Sequence, residues 1–433
     1  MSAVVFETEI ANLTHDGRGV ARVDGKAVFV ADALPGERVR ARIVRKHRQF
    51  DEAQCVEVLQ AAIDRVAPRC PHYSVCGGCA LQHLAPQAQI AAKQRVLAEN
   101  FARIGKVEPR RWLPPLTAEP WGYRRRARLS VKHVPKKGKT LVGFRERDPR
   151  FVADLSHCEV LDPALGGKLD ALGALLNSLQ AASAIPQVEF SAGDDQSALV
   201  FRHLQPLSQS DRDKLIAFGR GHGLAILLQP GGTESVHAVY PESVRLHYLL
   251  HEYGLDLEFA PLDFVQINAR LNARMIAQAL QLLDLQPHER VLDLFCGLGN
   301  FSLPIARRVA FVCGVEGEAG LIERARGNAE RNGTTNVEFV VGDLAADPRG
   351  ASWARKDFDK WLLDPPRTGA AALLEHLPGK SVQRVVYVSC HPGSLARDAG
   401  TLVQRHGFAL TAAGVMDMFP HTAHVESIAV FDR

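Results

Sequence analysis

Cys390 is the residue whose type and position most directly predict chemistry. It follows a predicted strand over residues 385–389 and lies in the segment VSCHP. Ligands bind beyond the carboxyl ends of the strands in an open α/β sheet, and a thiolate placed there can attack a substrate. A buried structural cysteine is the alternative interpretation. Activation of the thiol requires positive charge or a helix N-terminus, for which Arg367, His391 and the following helix are candidates.

Acidic side chains follow three successive predicted strands. Residues 291–300 (VLDLFCGLGN) run from a hydrophobic strand into a glycine-containing turn, with Asp293 before the turn. The second strand ends at Glu316, where a carboxylate can accept hydrogen bonds from both ribose hydroxyls of a nucleoside. Asp343 follows the third strand and is placed for an adenine. The turn is not the dinucleotide pattern G-x-G-x-x-G, and it resembles motif I of class I S-adenosylmethionine-dependent methyltransferases.

The fourth strand is followed by residues 364–369 (DPPRTG). Enzymes that methylate exocyclic amino groups carry an aromatic residue after the prolines, whereas Arg367 stands here, which argues against a nitrogen target. Methylation of C5 of uracil requires a nucleophile, because attack of a thiolate on C6 makes C5 reactive. A base must then remove the C5 proton. Glu426 is the predicted base, and His424 is the alternative.

Five segments together resemble the bacterial RNA C5-uracil methyltransferases. They are residues 264–268 (FVQIN), the motif I turn, residues 364–367, residues 389–392 (SCHP) and residues 424–427 (HVES). The resemblance implies S-adenosylmethionine as the methyl donor, Cys390 as the nucleophile and Glu426 as the proton acceptor. It also implies a cofactor pocket lined by Gln266, Phe295, Asn300, Glu316, Asp343 and Asp364. The C5-cytosine relatives carry a further cysteine at the position of Arg367, so uracil is favoured.

Four of the eight cysteines suggest a metal centre. Cys70, Cys76 and Cys79 are closely spaced, and Cys158 lies downstream. Four thiolates suit either tetrahedral zinc or a [4Fe–4S] cluster, and the spacing alone does not choose between them. The ribosomal branch of the resembled family holds an iron–sulfur cluster with this spacing, so the resemblance implies a [4Fe–4S] cluster with a structural or RNA-positioning role. The other cysteines, Cys55, Cys296 and Cys313, are expected to be packing residues.

Three domains are expected to position these residues. Residues 1–66 alternate as five short strands, with Asp24-Gly25 as a hairpin turn, and predict a small OB-like barrel. The family resemblance implies that this barrel is a TRAM domain. Residues 67–262 predict a central α+β domain that carries the cysteines, with a helical part at about 86–119 expected to pack on the catalytic domain. Residues 263–433 alternate strands and helices and predict a doubly wound, Rossmann-like α/β methyltransferase domain.

Two basic runs predict a polyanionic partner, although a solvated face is the alternative for each. The first is Arg38, Arg40, Arg42, Arg45, Lys46 and Arg48. The second is Arg124, Arg125, Arg126, Arg128, Lys132, Lys136, Lys137 and Lys139. The barrel and the cysteines occur together in the ribosomal branch of the family, so the resemblance implies 23S ribosomal RNA as substrate. A transfer-RNA C5-uracil enzyme and a non-catalytic RNA-binding assembly factor are the rival hypotheses.

The composition is that of a globular protein. The chain has 433 residues, of which 46% are hydrophobic and 23% charged, with a formal net charge of +4. No stretch approaches the roughly 20 apolar residues of a membrane span, and the first residues lack the basic region of a signal peptide. We therefore expect a cytoplasmic protein. A monomer without an obligate protein partner is also expected.

Overall fold

The computed structural model describes residues 4–376 and 381–433, and Lys137 of the second basic run by its backbone alone. Residues 1–3 and 377–380, which the predicted domain ranges include, lie outside the described residues. Within the described ranges no helix combines the length and apolar composition that a membrane crossing requires.

The N-terminal domain is a six-stranded sheet curled around a small core. Its strands are β1 (Val5–Glu9), β2 (Asn12–Leu13), β3 (Gly19–Val23), β4 (Lys26–Ala31), β5 (Arg38–Lys46) and β6 (Phe50–Gln60), in the order β1-β5-β6-β4-β3-β2. The predicted hairpin is present: Asp24 and Gly25 both have positive φ, as the two central residues of a tight type I′ turn require. One more strand forms than was predicted, because the two-residue β2 is too short to show alternation.

A connecting segment joins this domain to the rest. It contains the cysteine-rich loop, then α1 (Pro86–Asn100), a π-helical turn (Phe101–Gly105) and β7 (Arg111–Trp112). β7 pairs with a strand of the C-terminal sheet, and Ile90, Leu97 and Phe101 belong to the core of that sheet. The part of the connecting segment from α1 to β7 is therefore packed as a part of the C-terminal domain.

The central domain is a second six-stranded sheet with helices on it. The strands are β8 (Arg126–Val134), β9 (Lys139–Gly143), β10 (Gln187–Ala192), β11 (Ser197–Arg202), β12 (Leu224–Gln229) and β13 (His237–Tyr240), in the order β13-β12-β11-β10-β8-β9. The helices are α2 (Pro163–Gly166), α3 (Leu169–Ser178) and α4 (Gln209–His222). α2 and α3 are separate helices, divided at Gly167 and Lys168. Gly166, the last residue of α2, packs closely on the cysteine-bearing loop, because a Cβ at this position would lie 2.7 Å from the Cys158 carbonyl oxygen.

A two-stranded ribbon, β14 (Leu246–Leu250) and β15 (Leu255–Phe259), leads into the C-terminal domain. Its strands are β16 (Arg290–Leu294), β17 (Phe311–Glu316), β18 (Val337–Val341), β19 (Lys360–Leu363), β20 (Arg384–Ser389), β21 (Ala409–Met416) and β22 (Glu426–Asp432). Its helices are α5 (Ala269–Leu283), α6 (Ser302–Ala306), α7 (Ala319–Arg331), α8 (Ala371–Glu375) and α9 (Pro392–Gln404). The sheet order is β18-β17-β16-β19-β20-β22-β21-β7, parallel from β18 to β20. The predicted doubly wound sheet is confirmed, and its switch point lies between β16 and β19, where chain order reverses.

Candidate active site

Cys390 and Glu426 stand opposite each other at the end of one strand pair. β20 and β22 are antiparallel, with Val388 opposite Ile428 and Ser389 opposite Ser427. Continuing this register by one residue puts Cys390 opposite Glu426, although the two are far apart in sequence. Directly opposed residues of an antiparallel pair have Cβ atoms about 5 Å apart. The structure therefore places the predicted nucleophile and the predicted base as neighbours.

The Glu426 carboxyl is buried without a hydrogen-bond donor among the described residues. The residue is 8% exposed, and no described residue donates a hydrogen bond to its side chain. Burial raises the pKa of Glu426 to about 8, with the charge of Asp364 adding to the effect and Lys93 and Arg367 opposing it. A carboxyl whose pKa lies near neutrality can exchange a proton during a reaction, as a general acid or base must.

The Cys390 thiol is protonated in the free protein. Burial raises the pKa of Cys390 to about 11, and the neighbouring Glu426 and Asp364 raise it further, while Arg367 lowers it. Among the proposed activators, Arg367 thus has the required sign. The ring of His391 caps α9, where its Nδ1 accepts a hydrogen bond from the Ser394 N–H at 3.1 Å. Burial lowers the pKa of His391, with the charge of Arg367 adding to the effect, which disfavours a positively charged ring beside the thiol.

His424 holds Arg367. The distance from Arg367 Nη2 to His424 Nδ1 is 3.0 Å, and the guanidinium is the donor. Burial lowers the pKa of His424 to about 4, with the charge of Arg367 adding to the effect. A neutral ring that already accepts a hydrogen bond is a weak proton acceptor, so the geometry favours Glu426 over His424 as the base.

Three carboxyl groups meet below the motif I turn. Glu316 ends β17 and accepts hydrogen bonds from the backbone N–H groups of Gly297 (3.2 Å) and Gly317 (2.7 Å). Asp364 follows β19, and no described residue bonds to its side chain; burial raises its pKa to about 7, with the charge of Glu316 adding to the effect. Burial also raises the pKa of Asp293 to about 7. Crowded, poorly solvated carboxylates favour a cationic ligand.

The remaining predicted cofactor residues differ in the hydrogen bonds that they make within the protein. Phe295 has φ of 65° and donates its N–H to Val315 O, which fixes the turn. Asp343 is exposed and accepts one bond from the Ala345 N–H, which leaves its second oxygen free of protein donors in the described chain. Gln266 is half-buried, and its side chain makes no hydrogen bond within the described residues.

Asn300 is already engaged by the protein. Its Oδ1 accepts hydrogen bonds from Tyr248 Oη and Asn272 Nδ2, both at 2.9 Å, and its Nδ2 donates to Asn272 Oδ1 at 3.0 Å. These contacts fix the end of the motif I turn against β14 and α5. The side-chain amide of Asn300 therefore holds the loop.

Cys390 opens into a large cleft formed by the N-terminal domain, the connecting segment and the C-terminal domain. The cavity has a volume of about 830 Å³. One wall is the barrel loop that contains residues 12–17, a second is the exposed side of α1, and a third is the loop at residues 422–425. Arg95 Nη1 reaches Asn12 Oδ1 at 3.5 Å and ties the barrel loop to α1. The cleft can admit a nucleotide together with its chain neighbours.

The four predicted metal-ligating cysteines line one cavity. Cys70, Cys76, Cys79 and Cys158 surround it together with apolar side chains that include Phe144 and Leu155. Burial raises the pKa of Cys76 to about 11 and that of Cys79 to about 12, with the other cysteines adding to both shifts. Within residues 4–376 and 381–433, no three His, Cys, Asp or Glu side chains are placed to hold a single metal ion.

The two basic runs differ in how many of their arginines have partners within the protein. On β5, Arg38 and Arg40 pair with Glu7, and Arg40 also pairs with Glu57, whereas Arg42 and Arg45 are exposed and form no ion pair with described residues. The first run therefore keeps part of its positive surface.

At the start of the second run, three arginines have partners within the protein, although Arg128 stays exposed. Arg125 forms a buried ion pair with Asp194, Arg126 donates to backbone carbonyls of the segment before α5, and Arg128 pairs with Glu189. The acidic partners come from the β10–β11 hairpin, which sequence proximity does not reveal.

Sequence reasoning missed one buried ion pair beside the site. Lys93 on α1 is 2% exposed, and its Nζ lies 2.6 Å from Asp417 Oδ1. A lysine among apolar residues on a helix normally marks a solvated position, and 324 residues separate the partners. No local signal could have found it.

Comparisons with known proteins agree along the whole chain. The family model described as tRNA (Uracil-5-)-methyltransferase matches residues 251–433, and the TRAM domain model matches residues 5–56. The chain is 59% identical to the 23S rRNA (uracil(1939)-C(5))-methyltransferase RlmD of Xanthomonas oryzae pv. oryzae (strain MAFF 311018), over 99% of this chain and 97% of the relative. It is 60% identical to the protein of the same name from Xylella fastidiosa (strain 9a5c), over the same shares.

A solved structure supports the fold. The tRNA (uracil-54, C5)-methyltransferase of Pyrococcus abyssi, in complex with S-adenosyl-L-homocysteine, superposes with a TM-score of 0.75 and 23% identity. The match covers 98% of this chain and 100% of that one, so the arrangement of all three domains has a counterpart. The TRAM prediction for the N-terminal domain is confirmed by the family match.

Proposed function

This chain belongs to the family of 23S rRNA (uracil(1939)-C(5))-methyltransferases named RlmD, and from that membership we propose the reaction and the residues that perform it. The protein is an S-adenosylmethionine-dependent methyltransferase that acts on C5 of a uracil in 23S ribosomal RNA. The target is the uracil at the position that the relatives' name gives. The observation that carries the mechanism is the register of β20 and β22: its last pair is Ser389 with Ser427, and Cys390 and Glu426 are the next residues at that end.

S-adenosylmethionine supplies an electrophilic methyl group on a positively charged sulfur. The donor set suits it: Glu316 and Asp343 offer carboxylate oxygens for a ribose and an adenine, and Asp364 and Asp293 offer negative charge in a buried setting. Phe295 shapes the turn, Gln266 offers an amide without a protein partner, and Asn300 holds the loop from behind. The raised pKa values of Asp293 and Asp364 should fall when positive charge enters the pocket.

The reaction begins when the uracil base is turned out of the RNA into the cleft beside Cys390. The Cys390 thiolate attacks C6, a sulfur–carbon bond forms, and the electron pair of the C5–C6 double bond moves towards C5 and O4. C5 then attacks the methyl carbon of S-adenosylmethionine; the bond between that carbon and the sulfonium sulfur breaks, its electron pair stays on sulfur, and S-adenosylhomocysteine would be the leaving group. The Glu426 carboxylate removes the C5 proton, the double bond re-forms, and the bond between C6 and Cys390 breaks to restore the thiolate. Arg367 favours the thiolate form during the first step.

Labelled S-adenosylmethionine with two RNAs tests this function. A 23S rRNA fragment that includes the target should gain one labelled methyl group per chain, and nuclease digestion should recover it as 5-methyluridine. Transfer RNA should remain unlabelled, since the full-length similarity is to enzymes named for 23S rRNA. Label in transfer RNA alone would establish the rival substrate. That outcome is tested because the matching family model is named for transfer RNA. Absence of label in both RNAs would favour the non-catalytic assembly factor.

We also propose that Cys70, Cys76, Cys79 and Cys158 hold a [4Fe–4S] cluster. The support is that the four thiols line one cavity and that the resembled ribosomal branch has this cysteine spacing. Zinc needs its sulfurs at about 2.3 Å from one centre, whereas a cluster takes one thiolate at each of four irons and spaces them more widely. The methyl transfer needs no electron, so the cluster would stabilise the loop that borders the cleft.

Protein purified without oxygen should be brown and contain about four iron atoms per chain. Cys158→Ser should lose iron, whereas Cys55→Ser, on the barrel, should keep it. A colourless protein with one zinc ion per chain would show that the cluster assignment is wrong.

The unpaired arginines of the barrel are expected to contact RNA phosphates. Replacing Arg42 and Arg45 together by alanine should weaken binding and reduce the slope of log affinity against log salt by about 2, or about 1 per lost phosphate contact. Arg40 was also expected to contribute, but its ion pairs with Glu7 and Glu57 make the Arg38→Ala, Arg40→Ala pair the matched control with a smaller change. Binding titrations at several salt concentrations measure both. An unchanged slope in the first variant would remove this surface from the RNA footprint.

A further inference from the structure

Lys93 is a buried cation that the mechanism described above does not use. It lies on α1, outside the strands and helices that carry the reacting groups, with Gln89, Ile90 and Leu97 on the same buried face. Its ammonium donates to Asp417 Oδ1 at 2.6 Å and to the Phe419 carbonyl at 3.0 Å. Burying a lysine is costly unless its charge has a use or a partner.

The partner of Lys93 adjoins the proposed base. Met416 pairs directly with Glu426 between β21 and β22, and Asp417 is the next residue along the chain. The Asp417 N–H donates to Leu116 O at 2.8 Å, which fixes this turn from the other side. Lys93 also borders the cleft into which Cys390 opens. Its ammonium therefore stands close to the end of the strand pair at which the chemistry takes place.

The charges that surround Glu426 come from several elements. They are Asp364 after β19, Arg367 in the following turn, Cys390 after β20, Lys93 on α1, and Asp417 bound to Lys93. Arg367 is exposed and shared with His424, so Lys93 is the cation that is buried beside the carboxyl. Low local polarity makes a buried charge act more strongly than an exposed one.

We propose that Lys93 is a positioning residue for the proton-transfer step: it anchors the turn at residues 417–419 and supplies the buried positive charge that keeps the Glu426 carboxylate available as a base. The proposal rests on the proposed function. It assigns a role in catalysis to a helix of the connecting segment, which lies between the cysteine-rich loop and the central domain. The contact also joins that segment to the strand pair that carries the nucleophile and base.

The direction of the pH effect follows from the charges. Proton removal requires the ionised form of Glu426, so its rate rises with pH until the carboxyl is fully ionised. The positive charge of Lys93 lowers the pKa of Glu426, and its removal should raise that pKa. Below the pKa, the rate of proton removal falls roughly tenfold for each unit by which the pKa rises.

The experiment compares two steps in the same variants. RNA carrying tritium at C5 of the target reports proton removal as tritium released to water, across a range of pH. RNA carrying 5-fluorouracil reports attack by Cys390, because fluorine is not removed as a proton and the adduct persists. Lys93→Met should shift the acidic limb of tritium release to higher pH while 5-fluorouracil adduct formation stays near the wild-type rate. Lys93→Arg should restore the wild-type limb.

Two further variants separate charge from folding. Lys93→Met leaves Asp417 buried without a counter-charge. The double variant Lys93→Met, Asp417→Asn removes both charges and should keep an upward shift, smaller than that of the single variant because the negative charge of Asp417 is also gone. Lys106→Met, at an exposed lysine just beyond the π-helical turn, should change nothing. If the acidic limb of tritium release in the double variant lies at the wild-type pH, the proposal is overturned. Any shift in the single variant would then come from the unpaired Asp417. If wild-type protein forms no adduct and releases no tritium, the proposed function itself fails.

Discussion

Cys390→Ala should reduce methyl transfer to 23S rRNA by about 10⁴- to 10⁶-fold, the scale on which the loss of a catalytic nucleophile is felt. Without the sulfur, C5 of uracil keeps its place in the conjugated ring and has little tendency to accept a methyl cation. Neither Arg367 nor Glu426 can replace the covalent bond to C6. Single-turnover transfer of labelled methyl groups measures the effect.

Alanine at position 390 should leave the fold intact. The side chain is half-buried at the mouth of the cleft, so its removal opens little internal space. Thermal unfolding and RNA binding should stay close to wild type, and Cys55→Ala provides a matched thiol deletion on the barrel. Retention of more than about one-tenth of wild-type methyl transfer in Cys390→Ala is incompatible with nucleophilic catalysis by this residue.

Glu426→Gln should stop the reaction after methyl transfer. Glutamine has the same shape but cannot accept the C5 proton, so the link between Cys390 and C6 cannot be released. Turnover should fall by about 10²- to 10⁴-fold, as for other proton-transfer groups. The distinctive result is accumulation of a methylated protein–RNA complex with ordinary uridine in the RNA, visible on a denaturing gel.

His424→Asn is the control for that experiment. His424 lies two residues from Glu426 and binds Arg367, so its loss should slow thiol attack without trapping the complex. If His424→Asn accumulated the protein–RNA complex and Glu426→Gln turned over normally, His424 would be the base and Glu426 would not. The low pKa of His424, about 4, predicts against that exchange.

The catalytic sheet and the barrel hairpin were predictable because the sequence patterns that specify them are local. Hydrophobic strands, the motif I turn and Asp24-Gly25 in the barrel hairpin each require particular residues over a few positions, and the structure has these elements where they were expected. The site residues at strand ends then follow, because parallel strands bring their carboxyl ends to one edge. The placement of Cys390 next to Glu426 needed the register of β20 and β22, which only the structure provides.

Other features depend on contacts between distant segments. Arg125 and Arg128 read as part of a basic surface until Asp194 and Glu189 are seen to pair with them. The short strand β7 joins the far edge of the catalytic sheet through only two residues, too few for a pattern. The function of Asn300 as a loop support likewise depends on Tyr248 and Asn272, which lie in earlier elements.

The role of the Cys390 sulfur is tested most directly by mass spectrometry of the adduct. Enzyme, S-adenosylmethionine and a 23S rRNA fragment with 5-fluorouracil at the target are combined, denatured, and digested with protease and nuclease. We predict a peptide containing Cys390 that carries one methylated fluorouridine nucleotide on its sulfur. Attachment of the nucleotide to any other side chain, or no attachment by a preparation that methylates ordinary RNA, would contradict covalent catalysis by Cys390.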